Sequence, residues 1–196
     1  MRNRLEISFA ILLGLLASQR GWTQTALPAK DFPSTAAAAT DITNAEIQAV
    51  IQKNPSAAIN DQTLRVVSID GKYNVGVGIV RRTKTSGQVP GGAIEHSEIT
   101  EVYHVITGTG MFVTGGTIDH PKSVDPSSET VKDRVGPSTM GDKIEAGVSR
   151  QLGPGDVVII PPNTPHWFSE VTSDQIVYLV VRVDPTNVLP AGFKPK

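Results

Sequence analysis

The sequence has no cysteine, which excludes disulfide bridges, thiolate metal sites and a lipid-anchored N-terminal cysteine. It has almost no excess charge either, since 18 Lys and Arg stand against 19 Asp and Glu, for a net charge of −1. That balance gives no electrostatic footing for nucleic acid, and no nucleic-acid partner is expected. Runs of helix formers are few, whereas 18 glycines and 14 prolines are spread through 196 residues. Such a composition points to turn-rich β structure. The length suits one domain with a real core and is too short for two of ordinary size.

No run is long enough to span a membrane. The apolar stretch Ile7 to Ala17 falls well short of the ~20 residues that a spanning helix needs. It follows the basic Met1-Arg2-Asn3-Arg4 and is closed by Ser18-Gln19-Arg20, the n-region and h-region of a secretory signal peptide. Residues 1–25 are therefore expected to be removed on export. A periplasmic or secreted protein with no stable membrane span would remain.

Residues 26–62 read as an Ala-, Thr- and Pro-rich leader followed by one short helix. Thr43-Asn44-Ala45-Glu46 is a capping box, and Ile42 with Ile47 forms a hydrophobic staple around it. Ile47, Val50 and Ile51 make one apolar stripe, and Asn54-Pro55 stops the helix. From residue 63 the period becomes that of strands. Leu64 to Ile69 and Tyr73 to Arg82 flank the hairpin signal Asp70-Gly71. Further strands are expected over 101–106, 110–114, 149–152, 156–160 and 175–183. Short strands between Gly-rich turns imply a sandwich or barrel over 63–184, with a tail at 185–196. Val157 to Ile160 and Ile176 to Val181 are apolar on both faces, which requires outside cover from a second sheet or a homodimer partner. Residues 117–148 lose all periodicity and read as one long loop, the kind that serves as a lid or binding insertion.

The chain has four histidines. His166 follows a buried strand and the stiff turn Pro161-Pro162-Asn163, so its ring is delivered rigidly, as a metal ligand requires. Trp167 and Phe168 would form an apolar wall beside it. His96 and Glu98 share a face if that stretch is extended. On the next strand Glu101, Tyr103 and Val105 share one face, and His104 lies on the other as an ordinary partly buried histidine. His120 sits among polar residues beside Pro121 and is expected in solvent.

Gly155, five residues, Pro161, one residue, Asn163 in a glycine slot, two residues and His166 resemble the second motif of the cupin superfamily. His96, then Glu101, six residues and Gly108 resemble a variant of the first motif, with Glu98 where a second histidine usually stands. Thr100 to Tyr103, Val113 to Gly116 and Pro165 to Phe168 are similar to a group of exported single-domain bacterial cupins. The resemblance covers about residues 63–184. It implies an all-β double-stranded β-helix, the cupin or jelly-roll barrel, with the short helix appended at the N-terminal side. It also implies one divalent transition metal (Fe, Mn, Ni or Zn) held by His96, Glu101 and His166, with Glu98 as a fourth ligand or a general base. Tyr103, on the face of Glu101, would donate to a developing oxyanion. The function expected is a metal-dependent oxygenase, isomerase or lyase acting on a small polar substrate. The alternative is a non-catalytic module that binds a sugar or carboxylate.

Overall fold

The capping signal at Thr43 nucleates the helix α1 (Asn44–Ile51). Thr43 Oγ1 accepts from the Glu46 amide at 3.3 Å, and Glu46 Oε2 accepts from the Thr43 amide at 2.9 Å. The coordinates are a computed structural model that describes residues 38–53, 56–84 and 92–195. The expected signal sequence, the first part of the leader and the helix stop Asn54-Pro55 lie outside these residues.

Strand signals in the sequence give thirteen strands among the described residues. They are β1 (Ile59–Ile69), β2 (Tyr73–Thr83), β3 (Ala93–His96), β4 (Thr100–Thr107), β5 (Gly110–Thr114), β6 (Thr117–Ile118) and β7 (Lys122–Ser123). There follow β8 (Ser138–Gly141), β9 (Ile144–Glu145), β10 (Val148–Leu152), β11 (Val157–Ile160), β12 (His166–Val171) and β13 (Gln175–Asp184). A five-stranded sheet in the order β1-β2-β13-β4-β11 faces a six-stranded sheet in the order β10-β5-β12-β3-β8-β7, and every pairing is antiparallel. This is the expected all-β jelly roll with one short helix. The turn between β1 and β2 puts Asp70 at φ 53° and Gly71 at φ 67°, the left-handed pair that an Asp-Gly hairpin supplies.

Inward-facing side chains of both sheets form the core. Tyr103, Phe112, Phe168 and Tyr178 stack through it with ring centroids 4.5 to 5.8 Å apart. Outside the five-stranded sheet, Ile42, Ile47, Val50 and Ile51 lie on Leu64, Ile79, Val177 and Leu179. Val177 and Leu179 on the outer face of β13 thus join the cluster that α1 completes, a helix where a second sheet or a partner was expected as cover for Ile176 to Val181. The outer face of β4 and β11 has no such cover among the described residues. Val157 and Ile159 are 61 and 68% exposed, and His104 is exposed beside them rather than partly buried.

Two other differences have local causes. The first strand begins at Ile59, ahead of the boundary at 63, because a register shift between Thr63 and Arg65 interrupts its alternation. The stretch expected as a loop over 117–148 instead carries β6 to β9 and a π-helical turn at Thr130–Val135. Its β8 extends the six-stranded sheet, and the β6–β9 pair lays Ile118 and Ile144 against Ala93, Val113 and Trp167. Strands of two residues are too short to show a period of two in sequence.

Thr43→Ala is expected to destabilise the domain by about 1 kcal/mol, the usual worth of an N-cap, measured by thermal or urea unfolding. The Glu46 carboxyl is held down to about 2, first by the Thr43 amide and then by the Arg65 guanidinium. A depressed folded-state value means that its contribution is present above the ordinary carboxyl value of 4.5 and is lost as pH falls toward about 2. Glu46→Gln should therefore melt lower than wild type at pH 7, with the gap closing through that acid window. A gap independent of pH would show that the charge plays no part.

Candidate metal centre

Three strands from both sheets deliver the cluster. At the end of β11, Pro161-Pro162 lead into Asn163 at φ 58°, a left-handed conformation that asparagine tolerates and that explains its place in a glycine slot. The Asn163 amide donates to the His96 carbonyl at 2.7 Å, so the turn before His166 is tied to the end of β3. His166 opens β12 between Thr114 of β5 and Ile94 of β3. Glu101 on β4 lies opposite Ile160 of β11 and Arg182 of β13. Gly108 ends β4 at φ 78°, where a Cβ would stand 1.9 Å from the Gln175 carbonyl oxygen, so only glycine fits.

His96, Glu101 and His166 are 3, 1 and 2% exposed, and their ligand atoms lie within 4.8 Å of one another. Both imidazole Nε2 atoms stand 3.4 Å from Glu101 Oε2. The far side of each ring determines its tautomer. His166 Nδ1 faces the Thr164 carbonyl at 3.0 Å, which can only accept, so Nδ1 carries the proton. Ser138 Oγ gives its proton to the Gly136 carbonyl at 2.8 Å and therefore accepts from His96 Nδ1 at 2.8 Å. In the neutral rings, two Nε2 lone pairs and a carboxylate oxygen then converge with no proton between them, and His166 Nε2 has no hydrogen-bond donor among the described residues. Burial holds His96 below its ordinary value despite the attraction of Glu101, which favours the neutral ring.

Glu101 is anionic. Burial works against its charge, yet the Arg182 guanidinium bonded to it holds its carboxyl well below the usual range. Arg182 Nε donates to Oε1 at 2.8 Å and the Tyr103 hydroxyl donates to Oε2 at 2.8 Å. Burial and the Glu101 charge push the Tyr103 phenol well above its ordinary value, so it stays a donor. Two imidazoles and one carboxylate, each braced from behind, could hold one divalent ion and leave positions open for water or substrate.

Of the residues singled out in sequence, the structure gathers His96, Glu101 and His166, with Tyr103 bonded to Glu101. Glu98 does not join them. The chain bends at Ser97 and Glu98 after β3 ends, so the shared face assumed for His96 and Glu98 is lost, and the Glu98 carboxylate accepts instead from Thr186. Trp167 points to the outer cluster of the six-stranded sheet, and only Phe168 faces the interior. His120 is exposed and lies 3.1 Å from Asp142. Sequence reasoning missed Ser138 and Arg182. Ser138 carries no signal in a polar stretch, whereas Arg182 stood in plain view as a charge on the inward face of the apolar strand β13.

Two antiparallel sheets closing on a buried His–His–carboxylate group define a small β-barrel protein with a candidate mononuclear metal centre. A family model described as Cupin matches residues 53–194, most of the chain, and the protein belongs to the cupin family. No curated protein matches it. A cupin protein from Bacteroides fragilis is 17% identical over 61% of this chain and 72% of its own, with a TM-score of 0.36. The DMSP lyase DddQ from Ruegeria pomeroyi is 15% identical over 76% of this chain and 57% of its own, with a TM-score of 0.41. KdgF from Halomonas sp. is 14% identical over 68% of this chain and 93% of its own, with a TM-score of 0.38. Identities this low say nothing about activity.

Nitrogen-15 spectra of the metal-free protein should show a proton on Nδ1 of both His96 and His166. In Ser138→Ala the His96 tautomer should become mixed while His166 is unchanged. A bare Nδ1 on either ring in the wild type would contradict the bracing described here.

Proposed function

We propose that the protein is a divalent-metal cupin enzyme, an oxygenase, isomerase or lyase, acting on a small polar substrate. The observation that carries the reading is the convergence of two braced Nε2 lone pairs and an anionic carboxylate oxygen among buried side chains. Without a cation, that geometry leaves a buried ring nitrogen unsatisfied, which costs ~1–3 kcal/mol. A bound Fe, Mn, Ni or Zn ion would supply Lewis acidity toward a substrate oxygen or water. His96, Glu101 and His166 would hold it, and Ser138 and the Thr164 carbonyl keep the two rings turned toward it. Tyr103 has one phenolic proton, which Glu101 Oε2 takes. Its catalytic role as a donor to an oxyanion therefore requires the phenol to leave that carboxylate. The position of Glu98, bonded to Thr186, does not support a general-base role.

With Glu98 turned to Thr186 and the Tyr103 proton held by Glu101, neither acid–base candidate is free at the cluster, which favours a second reading, a module that binds a small sugar or carboxylate without catalysis. Metal analysis separates the two. Untreated wild-type protein should carry about one transition metal per chain, and His166→Ala should lose it. A protein that is purified without metal and whose melting temperature ignores chelator would support the binding module, and full metal in His166→Ala would sink the ligand assignment.

Export and self-association belong to the same proposal. The basic and apolar N-terminal segment supports a periplasmic or secreted location, and no helix among the described residues is long and apolar enough to cross a membrane. The face of β4 and β11 left uncovered among the described residues, where Ile106, Val157 and Ile159 are 42, 61 and 68% exposed, is the surface on which a homodimer would form. Light scattering should give a dimer for the wild type and a monomer for Val157→Asp/Ile159→Asp. A monomeric wild type at micromolar concentration would remove the homodimer.

A further inference from the structure

A buried arginine charge stands beside the cluster. Arg182 is 2% exposed, deep in a strand whose other inward side chains include Ile176, Tyr178 and Val180. Its Nε donates to Glu101 Oε1 at 2.8 Å, and its Nη2 donates to Asp61 Oδ2 on β1 at 2.7 Å. The guanidinium thus bridges two carboxylates across four strands of the sheet, β1, β2, β13 and β4. Burial alone would lower its pKa, yet Asp61 and Glu101 together raise it above the ordinary arginine range.

Strand β2 is shaped to admit this side chain. Arg182 lies opposite Gly76 in register, and a Cβ at Gly76 would stand 3.4 Å from the Arg182 Cβ and 3.2 Å from Leu189 Cδ1. At Gly78 a Cβ would stand 3.1 Å from Arg182 Nη1 and 3.0 Å from the Gln62 carbonyl oxygen. Two glycines on the inward face of a central strand weaken that strand, so the space they leave has a local cost. Nor is the ion triad a cheap way to hold the barrel together, because apolar side chains of similar volume do so as well or better. The arrangement makes sense through what it does to Glu101.

We propose that Arg182, anchored by Asp61, is a positioning residue that fixes Glu101 as a one-oxygen ligand facing His96 and His166. The inference rests on the metal reading above. A planar guanidinium held at two points sets the plane of the carboxylate and occupies Oε1. Only Oε2 then remains for the cluster, at equal distance from the two imidazoles. Without the fork, the carboxylate can rotate and offer both oxygens, which changes the coordination number and the affinity. A lysine at 182 would keep the charge. Its single nitrogen cannot hold the two carboxylates in one fixed plane.

The test uses cobalt(II) alone as the probe, added to the metal-free full chain. Affinity is read by chelator competition, coordination by the visible ligand-field spectrum, and folding by circular dichroism. Wild type should bind one cobalt per chain. Arg182→Met should bind about 10–100-fold more weakly, the usual scale for losing an outer-shell partner, with a changed spectrum. Arg182→Lys retains the charge and is the variant that counts if Arg182→Met does not fold. It should recover part of the affinity but keep the altered spectrum. Folded variants with wild-type affinity and spectrum would overturn the positioning role and leave the metal reading intact. Wild-type affinity and spectrum in Arg182→Lys alone would show that charge suffices and the fork does nothing. A wild-type chain that binds no cobalt would overturn the metal reading, and the positioning role with it.

Discussion

The structure depends on a charged carboxylate kept inside a β-barrel. Glu101 is 1% exposed, and an unpaired carboxylate so far from water would take up a proton or unfold its surroundings. Each oxygen is instead assigned. Oε1 belongs to Arg182, and Oε2 is shared by the Tyr103 hydroxyl and the space between two imidazoles. Arg182 and Tyr103, on β13 and β4, compensate the charge within one sheet, and the two imidazoles come from β3 and β12 of the other, so the cluster is complete only when both sheets close. Strand register is bound to the same requirement. A one-residue slip of β4 would turn Val102 and His104 inward and carry Glu101 to the outer face, where Arg182 could not reach it.

The packing around this centre divides by depth. Aromatic rings fill the barrel on one side of the cluster, with Tyr103 as the member that belongs both to the core and to the site. Outside the barrel, cover is uneven. The helix α1 shields β13 and its neighbours, and the β6–β9 pair shields Trp167. The outer face of β4 and β11 is left apolar and open among the described residues. The strand that carries Glu101 therefore has a rigid inner face and an outer face available to a partner.

Reading the site from sequence succeeded where a local rule operated. The capping box needed only residues three apart. The Asp-Gly turn needed only a left-handed pair, and the Pro-Pro-Asn corner needed only stiff backbone ahead of His166. The alternation in β4 placed Glu101 and Tyr103 on the inner face because a strand has a period of two. The same rule failed for Glu98, since the backbone bends after His96 and the alternation does not carry across the bend.

By itself, then, the sequence determined the β architecture, the helix cap and the three residues that meet at the candidate metal centre. Period, turn chemistry and motif spacing are properties of neighbours along the chain. Only the tertiary structure decided how those residues are held. Ser138 meets His96, and Arg182 meets Glu101, across strand pairings that join residues 42 and 81 positions apart. No local pattern encodes such contacts. Long-range strand pairing within each sheet creates them, and it turns a loop-like stretch and one misplaced-looking charge into the support of the site.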